Sequence, residues 1–112
     1  RDCLHPNDLG EVLVNQFQRQ PAPGAAITNF SGGTANSMSL RQLHDWCEQR
    51  FGQRAVQPEA ADRPFDLPWV VLDSSLAEQR FGWRPTTPLS AVLEEIARHA
   101  EQNPGWLDMT SS

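Results

Sequence analysis

With 112 residues, the chain has room for one domain or part of one, built around a modest core. A formal charge of −5 and a pI near 5.0, with no basic run, exclude the electrostatic footprint of a nucleic-acid or anionic-membrane binder. All nine basic residues are arginine, and there is neither Lys nor Tyr, so a lysine Schiff base and tyrosine acid–base chemistry are closed to these residues.

Cys3 and Cys47 stand in no metal-type spacing and are too few for a disulfide framework, which reads as reduced thiols in a cytoplasmic protein. No signal peptide and no apolar run of about 18 residues is present, so neither export nor membrane spanning is expected. The chain opens at Arg1, in mid-motif rather than at a Met, which leads us to expect a fragment.

In chain order, "HPNDLGEVLVNQFQRQ" sets Leu9, Val12, Leu13 and Phe17 at helical spacing, with Pro6 suited to the first turn and Asp8 to the positive end of the dipole. "AAITNF" reads as a short buried strand closed by "SGG", in which Gly32 or Gly33 takes a positive φ. A helix capped by Ser39 and Gln42 follows, with Leu40, Leu43, Cys47 and Phe51 on its apolar face and Gly52 as its stop. "RAVQPEA" suits another short strand, and "LPWVVLD" is the most strand-like run. "SSLAEQRFG" has capping-box spacing at Ser75 and Glu78 and a stop at Gly82. "TPLSAVLEEIARHAEQNPG" predicts the last helix, with Thr87 as cap, Pro88 first, and Leu89, Val92, Leu93, Ile96 and Ala100 on one side. The terminal "MTSS" is expected to fray. Roughly four helices and three short strands make an α/β order with too few strands for a complete doubly wound sheet.

Few constellations carry chemistry. "SGGTANS" is neither GxGxxG nor a P-loop, and favours a plain strand-to-helix turn. The histidines and cysteines show no zinc-type spacing, Cys47 with His44 favours an inert buried thiol, and Glu94 and Glu95 suit a solvated helix face. The arginines of "RDCLHPND" and "DRPFDLP" are more informative. Arg1, and Arg63 with Asp66, offer planar forks for phosphate oxygens and a carboxylate for sugar hydroxyls; on spacing alone, surface ion pairs are the commoner explanation.

Taken in order, "RDCLHPNDL", "ITNFSGGTANSMSLRQL" and "DRPFDLPWVVLDSSLAEQRFGWRPTTPLSAVLEEI" resemble the C-terminal third of the extended short-chain dehydrogenases/reductases, the NAD-dependent nucleotide-sugar epimerases and dehydratases. "NSMSLRQLHDWCE" and "HAEQNPGWL" are most similar to the CDP-tyvelose/CDP-paratose 2-epimerase branch. The resemblance implies that residues 1–112 form the substrate-binding portion of an extended Rossmann-type α/β fold, its sheet incomplete and its dinucleotide-binding portion absent. It implies that Arg1 and Arg63 contact a nucleotide diphosphate and Asp66 the nucleotide's ribose, with NAD and the YxxxK pair supplied by the parent protein and no NAD bound by this chain alone. Cys3 stands where many relatives carry an aromatic, and Pro6 where they carry Val. The expected function is nucleotide-sugar binding within an epimerase; the alternatives are the same part of a dehydratase or reductase, or a stand-alone non-catalytic module. Apolar helix faces at Leu9/Val12/Leu13 and Leu40/Leu43/Phe51 predict self-association, or a homodimeric parent.

Overall fold

The structure, a computed structural model, describes residues 1–18, 27–57 and 65–106. The first helix, α1 (Pro6–Gln18), starts where the sequence predicts. His5 prepares its first turn: its carbonyl accepts the Asp8 amide at 3.0 Å, and its ring Nδ1 accepts the Asn7 amide at 3.1 Å, satisfying two of the donors that a helix start leaves open. Helix α2 (Leu40–Phe51) carries the full Ser39/Gln42 capping box and stops at Gly52, where φ is 86°. Helix α3 (Ser75–Phe81) ends in a left-handed Gly82, and α4 (Leu89–Gln102) completes the set.

Two caps differ from the sequence-based expectation. Ser75 and Glu78 form no capping box; Ser75 is the first helical residue, and Asp73 instead accepts its amide at 2.8 Å. Thr87 does not cap α4, because its hydroxyl is bound to Asp8 at 3.0 Å. The helix starts one residue later, and Asn36, from a 3₁₀ turn over Thr34–Asn36, accepts the Leu89 amide at 2.9 Å. A side chain distant in sequence does the capping.

The larger correction concerns the sheet. Among the described residues there is no strand, and the expected α/β architecture with three short strands is not formed. Ile27–Phe30, residues 54–57 and residues 67–73 run as irregular chain; the rest of the two shorter expected strands lies outside the described residues. Apolar β-branched residues favour extension, but a strand exists only when a neighbour accepts its backbone bonds. Among the described residues the one ladder-like contact is an antiparallel bridge between Asp2 and Ser37, flanked by Arg1–Met38 and Cys3–Asn36 backbone bonds of 2.9–3.1 Å.

The core is small. Val12, Ala77 and Trp83 are buried together, with Leu4 and Phe30 against them, and Phe30 meets the Trp83 ring edge-on at 5.0 Å. Helix α4 buries Val92, Leu93 and Ala97; Ile96, expected inside, is exposed. Much of the expected helix-face packing is open: Phe17 is 93% and Leu40 83% exposed, while Val12 is buried.

Asp8 ties α1 to the segment between α3 and α4. Its carboxylate, in a residue only 6% exposed, accepts the Thr86 hydroxyl at 2.7 Å, the Thr87 hydroxyl at 3.0 Å and the Thr87 amide at 3.2 Å. Its carbonyl accepts the Trp83 indole N–H at 2.6 Å. Glu94 and Glu95, expected to be free surface carboxylates, are both paired. Arg50 reaches Glu94 and Glu101 in forked contacts of 2.8–3.2 Å, and His5 Nε2 meets Glu95 at 3.1 Å.

Burial pushes the Asp8 carboxyl up, but hydrogen bonds from the Thr86 hydroxyl and from Thr87 outweigh it and hold the group below the ordinary aspartate range. A carboxyl lowered in the folded state stabilises fully above its unfolded value, near pH 4, and loses that contribution as pH falls through the folded value. Thermal melts between pH 7 and pH 2 will therefore show a drop confined to the acid side, and Asp8→Ala will cost about 2–3 kcal/mol at neutral pH and flatten that drop. Gly32→Ala will also destabilise strongly, because a Cβ there would stand 1.9 Å from the Cys3 carbonyl oxygen; chemical denaturation measures both.

Candidate functional site

The bridge at Asp2 and Ser37 fixes the backbone of Arg1, and the guanidinium then reaches across to the loop at residues 65–67. Arg1 Nη2 donates to Asp66 Oδ1 at 2.8 Å and Nη1 to the Leu67 carbonyl at 2.7 Å. Two of the three sequence-predicted site residues, 65 positions apart, are thus in contact. The third, Arg63, lies outside the described residues. Phe65, directly ahead of Asp66, has φ of 67°, a left-handed backbone uncommon for any residue with a Cβ; its ring is fully exposed. The sequence carries no signal for that geometry.

Asp2 is the support that spacing alone did not single out. Its Oδ2 accepts the Ser31 hydroxyl in a short contact and the Gly32 amide at 3.0 Å. The same Ser31 hydroxyl lies 3.1 Å from the Leu72 carbonyl and shares its single proton between the two acceptors, so this one carboxylate links the Arg1 segment, the glycine turn and the chain leading to α3. Burial raises the Asp2 carboxyl, and hydrogen bonds from Ser31 and the neighbouring amides overcome that and keep it an anion.

The glycine turn takes its positive φ at Gly33, 68°. Gly32 is needed for a different reason, its close approach to the Cys3 backbone. Its amide is bound to Asp2, and the Gly33 amide is bound to Ser31 Oγ at 3.1 Å. A pyrophosphate would find those donors engaged and a carboxylate beside them. The turn does not fit a dinucleotide.

Other surfaces offer less. An open groove of about 590 Å³ runs along α1, lined by Pro6, Asn7, Gly10, Glu11, Val14 and Asn15, with no cation to hold a phosphate. His44, Asp45 and Glu48 bring ligand atoms within 4.8 Å of one another on the surface of α2; His44 and Glu48 already pair at 3.5 Å. Arg1 with Asp66 remains the arrangement best suited to a polar anionic ligand, both side chains being half exposed at 52% and 56%.

Comparison with known proteins points the same way as the motif order. The chain is 30% identical over 105 residues to UDP-glucose 4-epimerase of Caenorhabditis elegans, covering 93% of this chain and 30% of that protein. It is 27% identical to the Homo sapiens protein of the same name over the same share of both chains. It is 24% identical to that of Streptomyces lividans over 96% of this chain and 32% of the relative. The chain therefore spans about a third of the length of the relatives it matches. No family model matches, and no solved structure matches. The similarity supports the nucleotide-sugar epimerase level of the resemblance, and the names of these relatives lend nothing to the narrower CDP-tyvelose branch.

An ion pair as exposed as that of Arg1 and Asp66 contributes little to folding, typically below about 1 kcal/mol. Asp66→Ala will leave the denaturation midpoint nearly unchanged, as followed by circular dichroism. A large loss would make the pair a structural clasp.

Proposed function

We propose that this chain is the substrate-anchoring part of a nucleotide-sugar epimerase, with Arg1 and Arg63 holding the diphosphate and Asp66 accepting hydrogen bonds from the ribose hydroxyls. The observation that carries this reading is the contact of Arg1 with Asp66, a forked cation and a carboxylate brought to one exposed point from positions 65 apart in a chain similar to UDP-glucose 4-epimerases. In the free chain Asp66 and the Leu67 carbonyl occupy the guanidinium; a diphosphate offers it stronger acceptors, and the exchange leaves Asp66 for the sugar. Such anchoring would hold a hexose in one place while its chemistry proceeds elsewhere.

The relatives favour a UDP-hexose as ligand. With no Tyr and no Lys, and a glycine turn that does not accept a dinucleotide, these residues position the substrate. NAD and the proton-transferring groups would belong to the remainder of a longer protein. Dehydratase and reductase parents have no such support from the named relatives.

Isothermal titration of the protein at its full encoded length with UDP-glucose tests the assignment. Arg63→Ala is expected to weaken binding roughly 10- to 100-fold, the loss of one charge-assisted fork, while Arg54→Ala, an exposed arginine with no assigned role, leaves it unchanged. Equal affinities for wild type and Arg63→Ala would return Arg63 to the solvated surface, and CDP-glucose binding better than UDP-glucose would favour the CDP-sugar branch.

A further inference from the structure

Phe65 carries a backbone cost that nothing within the chain repays. Its φ of 67° lies in the left-handed region, which a residue with a Cβ enters only under strain and a glycine occupies freely. Its ring is fully exposed, and among the described residues no aromatic ring or cation engages it. The chain that follows is nonetheless held in place, because Arg1 binds the Asp66 carboxylate at 2.8 Å and the Leu67 carbonyl at 2.7 Å. A large apolar ring kept in the open beside an anchored, strained turn suits contact with a ligand.

The neighbours of the ring indicate which part of a ligand it meets. "RPFD" sets a guanidinium, a ring and a carboxylate within the span from Arg63 to Asp66. A nucleoside diphosphate offers the matching set of phosphate oxygens, a flat base with a π-face, and ribose hydroxyls. In a nucleotide sugar the base is joined directly to the ribose, whereas the hexose lies beyond the diphosphate. Phe65 adjoins Asp66, the carboxylate assigned to the ribose, so its ring belongs at the nucleoside end.

We propose, resting on the anchoring role given above to Arg1, Arg63 and Asp66, that Phe65 stacks on the nucleobase and fixes the nucleoside end of the substrate. Stacking of this kind accepts any base, because every base has a π-face. Phe65 therefore adds affinity and leaves the choice between uracil and cytosine to other contacts. It also trades stability for binding, so substitution will separate the two.

Isothermal titration of the protein at its full encoded length with UDP-glucose and with UDP tests this, alongside chemical denaturation. Phe65→Leu is expected to weaken both ligands by the same factor, at least about fivefold, and Phe65→Trp to bind as wild type does. Phe65→Gly, which suits the left-handed backbone, will raise the denaturation midpoint and yet bind as weakly as Phe65→Leu. A ring with a merely structural role would not divide stability from affinity in that way. Unchanged UDP affinity in Phe65→Leu, with Arg63→Ala still impaired, overturns the stacking and leaves the anchoring intact. So does a loss confined to UDP-glucose, which would put the ring on the hexose, or a Phe65→Trp variant no better than Phe65→Leu. A wild-type protein that binds neither ligand overturns both.

Discussion

The buried carboxylate of Asp8 is the constraint on which the described structure depends. A chain with so little core cannot hold its ends together by apolar burial alone. Asp8 instead gathers three bonds from Thr86 and Thr87 and, through its backbone, the indole of Trp83. That sets Trp83 against Val12 and Ala77, and it takes the Thr87 hydroxyl away from the helix start that it would otherwise cap. Asn36 then supplies the missing acceptor to Leu89 while donating to the Thr87 carbonyl at 2.9 Å. The segment from Trp83 to Leu89 is thus clamped from two sides by residues more than 45 positions away.

A second carboxylate, Asp2, performs a parallel service for the candidate site. By holding Ser31 and the Gly32 amide it fixes the bridge that carries Arg1. The same bonds consume the donors of the glycine turn and close that turn to phosphate. The Arg-Asp pair at the start of the sequence therefore divides its work: Asp2 builds the platform, and Arg1 reaches out from it to Asp66 and Leu67. The ion pair that results is half exposed, of the kind that adds little to stability.

The helices were legible because their signals are local. Pro6, the Ser39/Gln42 box, Gly52 and Gly82 act within a turn or two, and all appear where the sequence predicts. The strands were not, because β-propensity at Trp69–Leu72 states a preference for extension and says nothing about whether a neighbour is present. Burial was partly legible: Val12, Val92 and Leu93 are inside, whereas Leu40, Phe17 and Ile96, equally well spaced, are not. Periodicity identifies a face, and the face is buried only where another element covers it.

The sequence by itself determined the start of α1, both limits of α2 and the Gly82 stop of α3, the absence of Tyr and Lys, and the motif order that resembles nucleotide-sugar epimerases, since each depends on residue identity and short-range spacing. Only the tertiary structure decided that Asp8 and Asn36 would clamp the chain, that Glu94 and Glu95 would be paired, that Phe65 would turn left-handed, and that Arg1 would meet Asp66. Those outcomes turn on which distant groups approach within hydrogen-bonding reach, and that is a property of the packed chain, invisible to any local pattern.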